Sequence, residues 1–216
     1  MKRLLKASLI ALLLGAVTAC QSAYYAAWEK VGVEKREILV DRVEDARESQ
    51  QDAEEQFTSA LEEFSALIQF DGGDLEEAYQ SLNDQYEASQ SAAQDVTNRI
   101  DKIESVAEAL FDEWEAELEQ YSNASLKSTS KQKLSETRIK YNKMVRAMRK
   151  VESSMEPVLR TLQDNVLFLK HNLNASAIGA LQGELNDIER DVKTLLIDMQ
   201  SAIAQSNDFI ADMNGD

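Results

Sequence analysis

Four stretches of this chain repeat apolar residues at alternating steps of four and three. The first runs Leu39, Val43, Ala46, Gln50, Ala53, Phe57, Ala60, Phe64, Leu67, and only Gln50 is polar. The second begins Leu75, Tyr79, Leu82, Tyr86, Ser89 and continues through Ala93, Val96, Ile100, Ile103, Ala107 and Leu110 to Trp114. The third runs from Leu134 through Met144, Met148, Val151, Met155, Val158 and Leu162 to Leu169, and the fourth from Ile178 through Ile188, Val192, Leu195 and Met199 to Met213. A helix turns once in 3.6 residues, so this spacing lays each set along one stripe; a strand, with period two, would drive charges into its own buried face. Sustained over several heptads, the pattern is the a/d seam of coiled-coil packing.

The breaks between seams are short. Asp71-Gly72-Gly73-Asp74 reads as a helix stop followed by an Asp N-cap. Ser122-Asn123-Ala124-Ser125 parts the second and third helices, and His171-Asn172-Leu173-Asn174 with Ser176 parts the third and fourth. Short connections make successive helices antiparallel neighbours. The expectation is all-α: an elongated antiparallel four-helix coiled-coil bundle, up-down-up-down, filling residues 28–216, with helices at about 24–70, 74–121, 126–171 and 176–213. At 1.5 Å per residue each helix is roughly 60–70 Å long. The third and fourth helices add Val145, Leu159, Val166, Leu196, Ile197, Ile203 and Ile210 to their stripes and are expected to contribute most of the core. Pro157 removes a backbone donor inside the third helix. Ser153 stands three before Glu156, the spacing of a capping box, so a kink or short break is expected near 153–157; the unbroken heptad phase favours the kink.

Composition decides between this reading and disorder. The chain is highly charged, with a formal net charge of −16, as disordered chains often are. The sustained periodicity argues for folded helices instead. Glycine is scarce and Pro157 is the sole proline, which leaves few turn residues for a sheet. So acidic a chain repels phosphates, and nucleic acid is not an expected partner.

Cys20 bears on location. It is the only cysteine and closes Val17-Thr18-Ala19-Cys20. Lys2, Arg3 and Lys6 precede an apolar run from Ala7 to Val17, which is too short for a bilayer span of about 20 residues. Residues 1–19 therefore read as a bacterial lipoprotein signal, Cys20 as the lipidation site, and residues 20–27 as anchor and short tether. Two lipid signals already hold a protein stably at a membrane, and a lipoprotein cysteine carries three chains. Gln21, rather than Asp, follows the cysteine, which fits an outer-membrane protein facing the periplasm. A single cysteine excludes an intramolecular disulfide.

Charge is laid out in blocks. Lys127, Lys131, Lys133, Arg138, Lys140, Lys143, Arg146, Arg149 and Lys150 crowd one half-helix, with Glu136 the only acid among them. The end of the second helix carries Asp101, Glu104, Glu108, Asp112, Glu113, Glu115, Glu117 and Glu119. Antiparallel pairing sets the two blocks side by side, where they neutralise each other and disfavour wrong registers. A sharper reading places the same end against lipid: Lys30, Lys35, Arg36, Lys127, Lys131 and Lys133 on anionic head groups, with Tyr24, Tyr25 and Trp28 at the interface.

Catalytic and cofactor chemistry is not legible. His171 is the only histidine, which excludes the paired Glu-x-x-His set of di-iron bundles and leaves a zinc site without thiolates. Its simpler role is a helix C-terminal residue favourable to the dipole. Gly72-Gly73 lacks the lysine and spacing of a phosphate loop. Gly179 and Gly183 have GxxxG spacing in a segment too polar to span a membrane. Asn123-Ala124-Ser125 and Asn174-Ala175-Ser176 match glycosylation sequons that a bacterial lipoprotein would not normally use. No cofactor, metal or catalytic residue is expected.

Two blocks carry a resemblance. Tyr24 to Phe57 reads YYAAWEKVGVEKREILVDRVEDARESQQDAEEQF, and Val166 to Leu185 reads VLFLKHNLNASAIGALQGEL. Both resemble domain-of-unknown-function (DUF) family 2959, a set of helical Gram-negative envelope proteins. The resemblance implies no activity and no catalytic residue. It points to Val31-Gly32-Val33, Lys35-Arg36 and Lys170-His171-Asn172 as the first places to probe. The functional expectation is a non-enzymatic, lipid-anchored periplasmic spacer or docking surface for an envelope protein. The rival is a self-assembling membrane-surface scaffold, with homo-oligomers. A ligand-binding lipoprotein or enzyme is the third reading, and no polar constellation converges to support it.

Overall fold

A computed structural model describes residues 34–69 and 75–215. The signal segment, Cys20, Tyr24, Tyr25, Trp28 and Lys30, Val31-Gly32-Val33, and the Asp71-Gly72-Gly73-Asp74 turn lie outside the described residues. The described residues form five helices and no strand: α1 Lys35–Ile68, α2 Leu75–Leu118, α3 Ala124–His171, α4 Ala175–Leu181 and α5 Leu185–Asn214.

The heptad stripes become the core. Every member of the first seam is buried, Gln50 included. So are Leu82 and the positions from Ser89 to Leu110 in α2, those from Met144 to Leu169 in α3, and those from Ile188 to Met213 in α5. The long helices touch in a closed ring: α1 against α2, α2 against α3, α3 against α5, and α5 against α1. Side-chain bonds give the directions. Lys35 reaches Glu113, Ser49 reaches Asp95 and Gln56 reaches Gln85, so α2 descends as α1 climbs. The same reversal relates α3 to α2 through Lys127–Glu119 and Arg149–Asp101, and α5 to α1 through Gln200–Glu54 and Arg47–Asn207.

Burial is shared more evenly than the stripe widths imply. α1 alone buries ten apolar residues from Ile38 to Leu67, whereas Ile197 on α5 is 58% exposed and Leu159, Leu196, Ile203 and Ile210 are only partly covered. The extra residues widen the stripes beyond what two neighbouring helices can cover.

The helix boundaries have local causes. Asn123 Oδ1 accepts from the backbone N–H of Ser125 (2.9 Å) and Leu126 (3.2 Å). Asn174 Oδ1 does the same for Ser176 (3.0 Å) and Ala177 (3.2 Å). Both Asn-Ala-Ser triplets are thus N-caps that satisfy two otherwise orphaned donors. At the other end of the chain, Gly215 takes a left-handed φ of 83° and its N–H returns to Ala211 O, closing α5.

One expectation narrows and another changes. α3 runs unbroken through Pro157, which rules out a break there. Ser153 does not form a capping box with Glu156; its Oγ donates back to Arg149 O at 3.0 Å, the bond of a residue inside a helix. Pro157 is exposed, so its ring faces solvent rather than the core. The fourth helix, expected to be continuous, divides into α4 and α5. The N–H groups of Gly183 and Glu184 bond to Ala180 and Leu181, tightening the ladder to a three-residue step. Gln182 (φ −59°, ψ −29°) keeps a right-handed helical backbone, so the turn tightens without losing the stripe, and Leu181 and Ile188 on its two sides are both buried. A Cβ at Gly179 would meet nothing within 4 Å, so helix-to-helix approach does not require that glycine.

Candidate functional site

One end of the molecule gathers the start of α1, the end of α2, the first turns of α3 and the end of α5. It is the end nearest in sequence to Cys20. A cleft of about 690 Å³ opens there, floored by Leu110, Trp114 and Met213 and rimmed by Arg36, Glu117 and Lys133. Trp114 is fixed by its indole N–H, which donates to Ser130 Oγ at 2.8 Å.

The sequence-derived cations divide into two groups. Lys35 turns inward: its Nζ lies 3.0 Å from Glu113 Oε1, and only 11% of the side chain is exposed. Lys127 reaches Glu119 at 3.1 Å, and Lys133 reaches its helix neighbour Glu136 at 3.5 Å. Gln132 chiefly, helped by Lys133, holds the Glu136 carboxyl below its ordinary pKa. Arg36 and Lys131 are exposed, and neither has an acidic partner among the described residues.

Further along α3 the basic block is largely neutralised by the protein. Arg138 bonds Glu115 at 2.5 Å and lies 5.1 Å above the Phe111 ring. Arg149 forks to Asp101 and Glu104, both at 2.6 Å, and to Glu152 at 2.9 Å. These contacts, with Glu104 foremost, raise its already high pKa. The pairing with α2 is the one expected from antiparallel neighbours. Two further partners come from α5 and were not read from the sequence. Lys140 pairs with Asp212, and Lys150 Nζ meets Asp198 at 2.6 Å. Asp198 is nearly buried and also accepts from Ser154 Oγ at 2.8 Å. Their signal was faint: acids at the flank of the fourth stripe, meaningful only once α5 is known to lie beside α3.

An aromatic group backs this end. Tyr141 meets Phe111 edge-on at 5.3 Å and lies 6.4 Å from Phe209. Burial foremost, then the negative charge of Glu104, pushes the Tyr141 phenol up to about 12. On α2, a hydrogen bond from Arg99, aided by Ser49 and opposed by partial burial, holds Asp95 below the ordinary carboxylate range.

At the opposite end, Lys170 and His171 occupy the last turn of α3 and are exposed, beside Leu167, Phe168 and Leu173. Among the described residues, no group of three or more His, Cys, Asp or Glu side chains could hold a metal ion. No described helix is long and apolar enough to cross a membrane. The arrangement can present charge and shape to a surface.

A family model described as "Protein of unknown function (DUF2959)" matches residues 24–213. No curated protein matches the chain.

Proposed function

The chain belongs to the DUF2959 family, and from that premise we propose that it is a non-enzymatic, lipid-anchored protein of the Gram-negative periplasm that acts as a spacer or docking surface for another envelope protein. In this reading the closed ring of long helices is an elongated antiparallel four-helix coiled-coil bundle, up-down-up-down, with a bend at Pro157. The 44 residues of α2 set its length at about 66 Å. A lipid on Cys20 holds it to the outer membrane, and the partner is a protein.

One observation carries the reading. Glu34, the described residue nearest Cys20, shares its end of the molecule with Trp114, Lys133 and Met213. A lipid tether would therefore hold that end at the bilayer and stand the opposite end away from it. Arg36 and Lys131 would face anionic head groups, with Lys127 and Lys133 beside them. Tyr24 and Tyr25 from the tether, with Trp28 and Lys30 just beyond it, would add interfacial contacts. Lys35 contributes by holding α1 to α2 rather than by touching lipid.

Crosslinking in cells tests the docking role, from Lys131 at the near end and from the Gly72-Gly73 turn. A stable protein partner captured from one end, with the purified protein monomeric in solution, supports it. Concentration-dependent polymers without a partner would favour the self-assembling scaffold instead, a reading supported by the polar Gln50 and Ser89 in the seams of α1 and α2. For the anchor, Cys20→Ser should abolish palmitate labelling and release the protein from the membrane fraction.

A further inference from the structure

Gln50 lies midway along the buried stripe of α1. Its side chain is fully enclosed, yet neither Oε1 nor Nε2 has a hydrogen-bond partner. One turn earlier, Arg47 Nε is buried and unpartnered as well. Buried polar atoms are nearly always paired, so two such groups in adjacent turns call for a cause.

The neighbourhood shows what is missing. Between Val43 and Phe57, α1 buries only Ala46, Ser49, Gln50 and Ala53. Ser49–Asp95 and Gln56–Gln85 bracket this level on α2, where Ser89 and Ala93 are the nearest seam residues. Arg47–Asn207 and Gln200–Glu54 bracket it on α5, where the seam carries Ala202 and Ser206. On α1, α2 and α5 the large side chains gather on either side: Leu39, Phe111 and Phe209 toward one end, and Phe57, Phe64 and Leu82 toward the other, while α3 brings Met148, Val151 and Met155 to this level. The middle of α1 is thus a waist of small side chains around an unsatisfied amide.

We propose that this waist is a conformational device: the middle of α1, residues 44–56, opens to water as a local unit while both ends of the helix stay packed. Opening lets water satisfy the Gln50 amide, for which no protein group supplies a partner in the closed state. Little apolar area of α1 itself is lost in exchange, because its own side chains there are small. The Leu39–Val43 and Phe57–Leu67 segments keep α1 in place, so the opening stays sub-global. The inference is independent of what the anchor or any partner does.

Hydrogen-exchange mass spectrometry on the full chain carrying Cys20→Ser tests it. Peptides covering 44–56 should exchange at least about tenfold faster than those covering 35–43 and 57–67. Gln50→Leu should slow the middle segment by a similar factor, leave the ends unchanged and raise the urea midpoint. Gln50→Met, unbranched and close to glutamine in length, should act in the same direction and serves if the leucine does not fit. Uniform exchange along α1 would overturn the proposal. So would a lower midpoint in both variants, which would mean that the closed state already satisfies the amide.

Discussion

Single side chains set the helix ends. Asn123 and Asn174 each satisfy two backbone donors with one oxygen, and each Asn→Ala change should cost about 1 kcal/mol, read from chemical denaturation. Asn→Asp at either position should stay near wild type, because the carboxylate still accepts both bonds and suits the helix dipole. Among the described tyrosines, Tyr141 is the one whose ionisation the fold resists. Its folded pKa of about 12 lies above the ordinary 10.0, so its neutral form is the one the fold favours. Its contribution to stability is fully present below about pH 10 and is lost as pH climbs through about 12. A phenolate-absorbance titration should show a tyrosine titrating this late in the native protein, and Tyr141→Phe should remove that step. Asp95 works in the opposite direction. Its pKa is lowered in the fold, so its share of stability is present above the unfolded value of 3.8 and lost as pH falls through the lower folded value.

Between elements, the Arg149 fork joins α2 to α3. Arg149→Met leaves Asp101 and Glu104 facing each other without their cation. The expected loss is about 1 kcal/mol, since the partners are part-exposed. Salt should shrink that loss by screening the carboxylates; a loss unchanged in high salt would assign the effect to packing of the arginine stem instead. Pro157 tests the continuity of α3. Because the helix continues through it, Pro157→Ala should restore one backbone bond and raise stability, by up to about 3 kcal/mol. A destabilised variant would show that the shape imposed by proline is needed for α3 to pack along both neighbours. The α4–α5 turn shows how an element boundary can escape a reading by period. The ladder tightens at Gly183 and Glu184 while Ile178, Leu181 and Ile188 keep their places in the core. The apolar pattern therefore records no break.

At the scale of the molecule, the two ends differ. The near end carries the exposed cations Arg36 and Lys131, and the far end carries Leu167, Phe168 and Leu173 beside Lys170 and His171. Binding of the Cys20→Ser form to vesicles should rise with anionic lipid and fall with salt. The double change Arg36→Glu with Lys131→Glu should abolish that dependence, while changes at Lys170 and His171 should not. Binding indifferent to both lipid charge and salt would remove the lipid-facing role of the near end and leave the protein-docking role to be decided by crosslinking.

The period of the apolar residues, the short breaks and the lone cysteine behind an apolar run were all legible in the chain. Each depends on residues close in sequence: 3.6 residues per turn makes a stripe wherever the spacing holds, and an asparagine caps the helix that starts beside it. Which cations remain free was not legible. Lys35 and Lys131 look alike in sequence, and only the approach of α2 turns Lys35 onto Glu113. Asp198 and Asp212 likewise became partners of α3 because the ring of helices closes through α5. Gln50 was visible as the one polar member of its seam, but its missing partners were not. Whether a buried amide finds a donor and an acceptor is decided by side chains brought to the same level from distant parts of the chain.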